Sequence, residues 1–200
     1  MTTFLLIRHA LTDTSGQRLT GRTAGVRLNE QGRAQARALA ERLAGLPIAA
    51  VYSSPLERTS ETAEFIARLL GIATIPCEDF LEVEFGDWSD ASFEELAAEH
   101  SFQRFNTFRS CASVPGGEFM LQAQARMVIG LDKLRRRHPQ QNVIVVSHGD
   151  MIKAAIAYYA GIPLDLFQRI EISPASISVV EIDEDAVRIL SVNNTGDILA

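Results

Sequence analysis

The sequence predicts a three-layer α/β/α sandwich with a mostly parallel central sheet and a small helical cap insertion. Two observations carry this expectation. Strand-like and helix-like segments alternate along the 200 residues, the order that covers a parallel sheet with helices on both faces. In addition, Thr3 to Arg8 and Asn142 to Ser147 are apolar runs of the kind found in strands buried on both faces. Each delivers a histidine, His9 or His148, to the point where the strand stops. Open α/β sheets bind ligands outside such carboxyl ends, so Arg8 and His9 are read as the floor of a site.

Taken in order, the first strand is followed by a polar loop, Leu11 to Leu28, that contains Gly16, Gly21 and Gly25. A loop of that length over a strand end is usually functional. Asn29 can cap a helix whose apolar positions Ala34, Ala38, Leu39 and Leu43 recur at helical spacing, ending at Gly45 and Pro47. Ile48 to Tyr52 reads as a second buried strand. Ser53-Ser54-Pro55 then signals a helix start with proline at the first helical position, which places Arg58 on the first turn. A short strand, Ala73 to Pro76, leads into Phe80 to Trp88.

Ser92-Phe93-Glu94-Glu95 has the form of a capping box, serine with glutamate three residues on. The weakly helical stretch 91–113 is too short to hold its own core, so it is read as a cap over the sheet edge rather than as a second domain. Pro115-Gly116-Gly117-Glu118 punctuates the chain before a long helix to about Arg137. After the His148 strand comes a helix from Asp150 through Ile152, Ala155, Ile156 and Tyr159. Ser176 to Ile182 and Ala186 to Val192 alternate well enough to form a terminal hairpin around Asp183-Glu184-Asp185.

Composition narrows the function. A hydrophobic content of 46% is enough for one sizeable core, and the length predicts a single domain over residues 1–200. The formal net charge of -6 offers no footprint for nucleic acid. Arg135, Arg136, Arg137 and His138 form the one basic cluster and are read as complementing a helix C-terminal dipole. Cys77 and Cys111 lack the spacing of a zinc or redox motif and are expected to be free thiols in a reducing compartment. With no secretory or membrane-spanning stretch in sight, a soluble cytoplasmic protein without membrane contact is expected. A homodimer is left open.

Placing polar residues at strand ends and helix starts gathers Arg8, His9, Arg58, Glu82 and His148 around one crevice. Two guanidinium groups match phosphate oxygens, and a helix start adds N–H groups and a favourable dipole. A metal site is the rival, since two histidines and a carboxylate are a familiar ligand set. Two permanent positive charges would repel a divalent cation, however, and no His-Glu-x-x-His pair is present, so no metal and no cofactor are expected. Serine-hydrolase elbows and Walker loops are absent as well.

Four stretches together resemble a known family. Leu6-Ile7-Arg8-His9-Ala10, Tyr52-Ser53-Ser54-Pro55-Leu56-Glu57-Arg58, Leu81 to Trp88 and Val145-Val146-Ser147-His148-Gly149 are similar, in content and order, to the signatures of the histidine phosphatase superfamily, the phosphoglycerate mutase-like fold. The resemblance covers nearly the whole chain. It implies that His9 is the nucleophile that becomes phosphohistidine, that Glu82 is the proton donor and acceptor, and that Arg8, Arg58 and His148 clamp the phosphate. Ser15, Thr20, Gly21 and Gly149 would face the substrate. Ala10 and Leu11 stand where the family usually has glycine and glutamate, and Phe119 where serine often follows Pro-Gly-Gly-Glu.

The chemistry of the residues agrees with that implication. Phosphoryl transfer needs a nucleophile in line, cations around the transferred group and an acid at the leaving oxygen. Neighbouring arginines would keep His9 neutral and therefore nucleophilic. The expected activity is metal-independent hydrolysis of a phosphomonoester on a small phosphorylated metabolite. Three alternatives stand beside it: a cofactor-dependent phosphoglycerate mutase, a phosphohistidine protein phosphatase, and a non-catalytic phosphate-binding module. The cap offers only Arg104 and Arg109 against several acids, which favours water over a second phosphate as the acceptor. Trp88, Phe102, Phe105 and Phe108 read either as pocket lining or as core, and Arg22 and Arg27 either as contacts to a second acidic group or as solvated loop charges.

Overall fold

In the computed structural model, which describes residues 1–196, the chain begins with β1 (Thr2–Arg8), β2 (Arg18–Leu19), α1 (Glu30–Leu43), β3 (Ile48–Ser53), α2 (Glu57–Leu70) and β4 (Thr74–Pro76). It continues through β5 (Ala91–Ser92), α3 (Phe93–Ala97), α4 (His100–Thr107), α5 (Met120–Arg137) and β6 (Asn142–Ser147), then α6 (Gly149–Ala160), β7 (Ile177–Ile182) and β8 (Val187–Asn194). Six strands form one sheet in the order β4-β3-β6-β1-β7-β8. β1, β3, β4 and β6 run parallel, while β7 is antiparallel to β1 and to β8.

The period-two alternation of the central strands builds the layers. Phe4 and Leu6 of β1, with Val143 and Val145 of β6, pack against Met127, Leu131 and Leu134 of α5 and the apolar side of α6. Leu5, Ile7, Ile144 and Val146 face the other way, onto Leu39 and Leu43 of α1 and Ala63 and Ile66 of α2. Both faces of β1 and β6 are thereby dry, which is why neither strand shows polar alternation.

Residues 91–113 supply β5, α3 and α4. β5 pairs with β2 of the Leu11–Leu28 loop, so that loop carries a small sheet of its own. Leu96, Phe102 and Phe105 join the hydrophobic cluster that includes Phe4 and Leu6. Ser92 caps α3 as its spacing predicts, its Oγ accepting from the Glu95 N–H at 3.2 Å. Asn29 likewise caps α1, accepting from the Gly32 N–H at 2.8 Å. The start of α2 differs from expectation. Its cap is Leu56, with no side-chain hydrogen bond, and Pro55 lies outside the helix. The Ser54 hydroxyl sits two residues before that cap, 2.9 Å from His148 Nε2, and accepts from the Leu56 N–H at 3.5 Å.

Arg135, Arg136 and Arg137 do lie in the last turn of α5, where the dipole favours them. Cys77 and Cys111 are both free. Among the described residues no helix is long and apolar enough to cross a membrane.

One close approach ties the segment after Glu82 to the Pro115–Glu118 turn. Gly86 has a φ of +47°, and a Cβ there would lie 2.1 Å from the Pro115 carbonyl oxygen. Gly86→Ala is therefore expected to cost about 2–3 kcal/mol in urea denaturation, combining an unfavourable φ with a backbone clash. Gly45→Ala, at φ +85° with nothing within 4 Å of the added methyl, should cost only about 1 kcal/mol.

Candidate active site

Parallel pairing of β1 with β6 aligns Arg8 with Ser147, and one residue on, the His9 N–H donates to the Ser147 carbonyl at 3.0 Å. The two strands thus end level, and their histidines emerge side by side. The ring centroids of His9 and His148 are 5.4 Å apart in an edge-to-face arrangement.

Each ring has its tautomer dictated by its partners. His9 Nδ1 lies 2.8 Å from the Ala10 carbonyl. Because a carbonyl only accepts, Nδ1 carries the proton and Nε2 keeps its lone pair. Burial holds the His9 imidazole well below the ordinary histidine range, and the charges of Arg58 and Arg8 push the same way, with the Ala10 hydrogen bond opposing them. His148 accepts from Arg58 Nη2 at its Nδ1, 3.2 Å away, and offers Nε2 to Ser54 at 2.9 Å. Burial, then Arg58, His9 and Arg8, keep it neutral too.

The two guanidinium groups are braced from behind. Arg8 Nη1 donates to the Ile172 carbonyl at 2.6 Å, and Arg58 Nη2 donates to the Gly21 carbonyl at 2.7 Å. Arg8 Nε and Arg58 Nη1 are buried donors with no protein partner. Buried donors left without acceptors are costly in a protein interior, and beside two neutral imidazoles they define an anion-binding pole. Gly149, the first residue of α6, lets Arg8 lie against that helix start; a Cβ there would sit 3.3 Å from Arg8 Nε. The N-terminus of α6 adds its positive dipole end to the same place.

Glu82 lies between these cations and a carboxylate. Its Oε2 is 3.8 Å from His148 Nδ1, and its Oε1 accepts from the Val83 N–H at 3.0 Å. Burial pushes its carboxyl up to about 7, Asp150 adds to the rise, and Arg58, the Val83 N–H and Arg8 pull it back. The glutamate sits outside any helix or strand, so its position depends on a polar brace. Arg22 Nε donates to the Glu82 carbonyl at 2.8 Å, and Arg126 reaches the Leu81 carbonyl at 2.9 Å. Both arginines converge on Glu118 Oε1 at 2.8 Å, which also accepts from the Glu84 N–H at 3.0 Å. The Glu118 of Pro-Gly-Gly-Glu is therefore the hub that holds the Glu82 segment in place.

A cavity of about 280 Å³ opens over this pole, and Arg8, His9, Arg58, Glu82 and Gly149 line it. Ser15, Thr20 and Gly21 form part of its wall as well. His148 is fully buried behind it. Of the four cap aromatics, Phe102 lines the cavity. Trp88 and Phe105 are core, and Phe108 is exposed. Arg22 is neither a substrate contact nor a solvated charge but a brace, and Arg27 does not reach the cavity. The sequence reading missed Thr14, Asp150 and Lys153 in the wall. A helical spacing signal existed for the last two, since Lys153 stands four residues after Gly149 and three after Asp150 in α6, the spacings that share a helix face. Among the described residues no group of three or more His, Cys, Asp or Glu side chains is arranged to hold a metal ion.

Comparison with known proteins places this geometry. Phosphoserine phosphatase 1 of Hydrogenobacter thermophilus is 32% identical over 98% of this chain and 93% of its own length. The solved structure of Bacillus stearothermophilus YhfR superposes with a TM-score of 0.91 at 26% identity, covering 97% of this chain and 98% of that one. A phosphoserine phosphatase variant of Entamoeba histolytica, solved in complex with phosphoserine, superposes with a TM-score of 0.87 at 25% identity over 100% of both chains. Such relatives indicate a phosphoric monoester hydrolase. Residues 4–195 match the histidine phosphatase superfamily (branch 1), and the chain belongs to that family.

Proposed function

We propose that this chain is a metal-independent phosphomonoesterase that acts on small phosphorylated metabolites through a phosphohistidine on His9. The observation that carries the proposal is a neutral imidazole with its Nε2 lone pair free, set beside two arginines that each keep a buried, unpartnered N–H. His9 Nε2 attacks phosphorus and the ester P–O bond breaks. The leaving alkoxide takes the Glu82 proton. Water then attacks the phosphohistidine, giving its proton to the Glu82 carboxylate as the N–P bond breaks, and phosphate departs. One carboxyl serves both half-reactions because it begins the first protonated and the second ionised.

Arg8 and Arg58 would hold the equatorial oxygens throughout. His148 would support the clamp from behind, its Nδ1 accepting from Arg58 Nη2 at 3.2 Å, and burial keeps it neutral in that role. Ser15, Thr20 and Gly21 would meet the alcohol side of the ester, and Gly149 would support Arg8 and the phosphoryl group at the start of α6. Residues 1–200 would act as one domain with 91–113 as its cap. Relatives with phosphoserine phosphatase names support a small substrate, and a cavity of about 280 Å³ is of matching size.

Turnover of p-nitrophenyl phosphate in the presence of EDTA tests the proposal. Activity should survive the chelator and fall by at least about a thousandfold in His9→Ala, and turnover quenched in alkaline denaturant, where an N–P bond survives, should trap phosphate on His9. Activity that requires a metal, or a label on another side chain, would overturn it.

The raised Glu82 carboxyl makes two further expectations. For an alkyl phosphomonoester, kcat/KM should fall as pH rises through about 7, because the leaving alkoxide then lacks its acid. No acid limb should intervene until well below the ordinary histidine range, since His9 stays neutral there. With p-nitrophenyl phosphate, whose phenolate leaves unaided, the basic limb should weaken or vanish.

Stability follows the same group. Folded Glu82 binds its proton more tightly than the ordinary carboxyl at 4.5 does, so the ionised form is penalised only in the folded state. That penalty is absent below pH 4.5, grows as pH rises, and is complete above about 7. Glu82→Gln should therefore be more stable than the parent near pH 8, by up to about 3 kcal/mol in urea denaturation, with the difference closing near pH 4.

A further inference from the structure

Besides Arg8 and Arg58, three more cations line the cavity: Arg18, Arg109 and Lys153. Two are already neutralised. Arg18 Nε pairs with Asp90 at 3.0 Å. Arg109, buried against the faces of Phe105 and Phe167, pairs with Asp150 at 3.0 Å. Lys153 differs. Its ammonium donates to the neutral Gln168 Oε1 at 3.1 Å, and among the described residues no carboxylate lies within ion-pair distance of it. An ammonium has three N–H bonds, so two remain for a ligand.

Its position relative to the phosphoryl pole follows from α6. Gly149 and Lys153 are four residues apart and share a helix face. A Cβ on Gly149 would meet the Arg8 guanidinium, so that face of α6 is the one turned toward the cavity. Lys153 lies about 6 Å further along the axis. A chain of two or three carbons between the phosphate ester oxygen and a carboxylate spans a similar length.

We infer that Lys153, with Gln168 beside it, binds a carboxylate of the substrate, so that the preferred substrates are small phosphomonoesters of hydroxy acids or hydroxy amino acids. The inference rests on the phosphatase reading above and adds the group that Lys153 selects. A carboxylate fits better than a second phosphate, because one ammonium balances one negative charge and Asp150 and Glu82 line the same cavity. A further dianion would leave one of its two charges without a partner.

The test compares substrates with and without the carboxylate: O-phosphoserine against O-phosphoethanolamine, which has hydrogen in its place, and 3-phosphoglycerate against glycerol 3-phosphate, which has a neutral hydroxymethyl group there, with fructose 1,6-bisphosphate as a separate arm. In each pair kcat/KM should favour the acid by about tenfold or more, as expected for a charge-assisted hydrogen bond. In Lys153→Met, and in Lys153→Gln as a second neutral variant, that ratio should fall toward one, mainly through KM for the acid. Lys153→Arg should retain most of it. Because each ratio is taken on one preparation, partial misfolding cancels. A parent ratio near one, a ratio unmoved in both neutral variants, or preference for the bisphosphate would overturn the inference. Failure to turn over p-nitrophenyl phosphate would instead overturn the phosphatase reading beneath it.

Discussion

The register between β1 and β6 is the constraint on which the site depends. With Arg8 opposite Ser147 and the His9 N–H bound to the Ser147 carbonyl at 3.0 Å, two histidines from distant parts of the chain come to rest with ring centres 5.4 Å apart. A slip of one residue would turn every side chain of β1 to the opposite face and send Phe4 and Leu6 into the wrong helix layer. The core therefore enforces the register, and the register enforces the pairing of the rings. Packing and chemistry are here the same requirement.

Around that pair the protein accumulates groups that it would be more stable without. Arg8 and Arg58 keep buried donors unpartnered, both imidazoles are held below their ordinary range, and Glu82 is raised to about 7. These are unfavourable in the free protein, and an anion that accepted from the two arginines would satisfy the unpartnered donors, which is the sense in which a site is preorganised. The surrounding structure resists relaxation. Ile172, Gly21 and the Glu118 hub fix the arginines and the glutamate segment by hydrogen bonds of 2.6–2.8 Å.

The cap contributes by a different route. Of its aromatic side chains Phe105 completes the core beside Trp88, while Phe93 and Phe102 line the cavity. Arg109, two residues past the end of α4, donates to Asn106 of that helix at 2.7 Å and pairs with Asp150 at the start of α6, so segment 91–113 is tied to α6 by a partly buried ion pair. That same Asp150 raises Glu82. Segment 91–113 and the acidity of Glu82 thus meet at a single carboxylate, Asp150.

Much of this was legible along the chain, and the reasons are local. β1 and β6 announced themselves by unbroken apolar runs, α1 and α3 by their caps, and the anion pole by residues that sit at strand ends and helix starts, where backbone geometry leaves little choice of direction. Other features were not local. The hydrogen bond between Ser54 and His148 joins residues 94 apart, and the bracing role of Arg22 required Glu118, 96 residues away. The sequence by itself determined which side chains could form a phosphate pole, because strand and helix periodicity place them. The tertiary structure alone decided their protonation states, their braces and the composition of the cavity wall, because burial, tautomer and charge pairing arise only when segments remote in the chain are packed together.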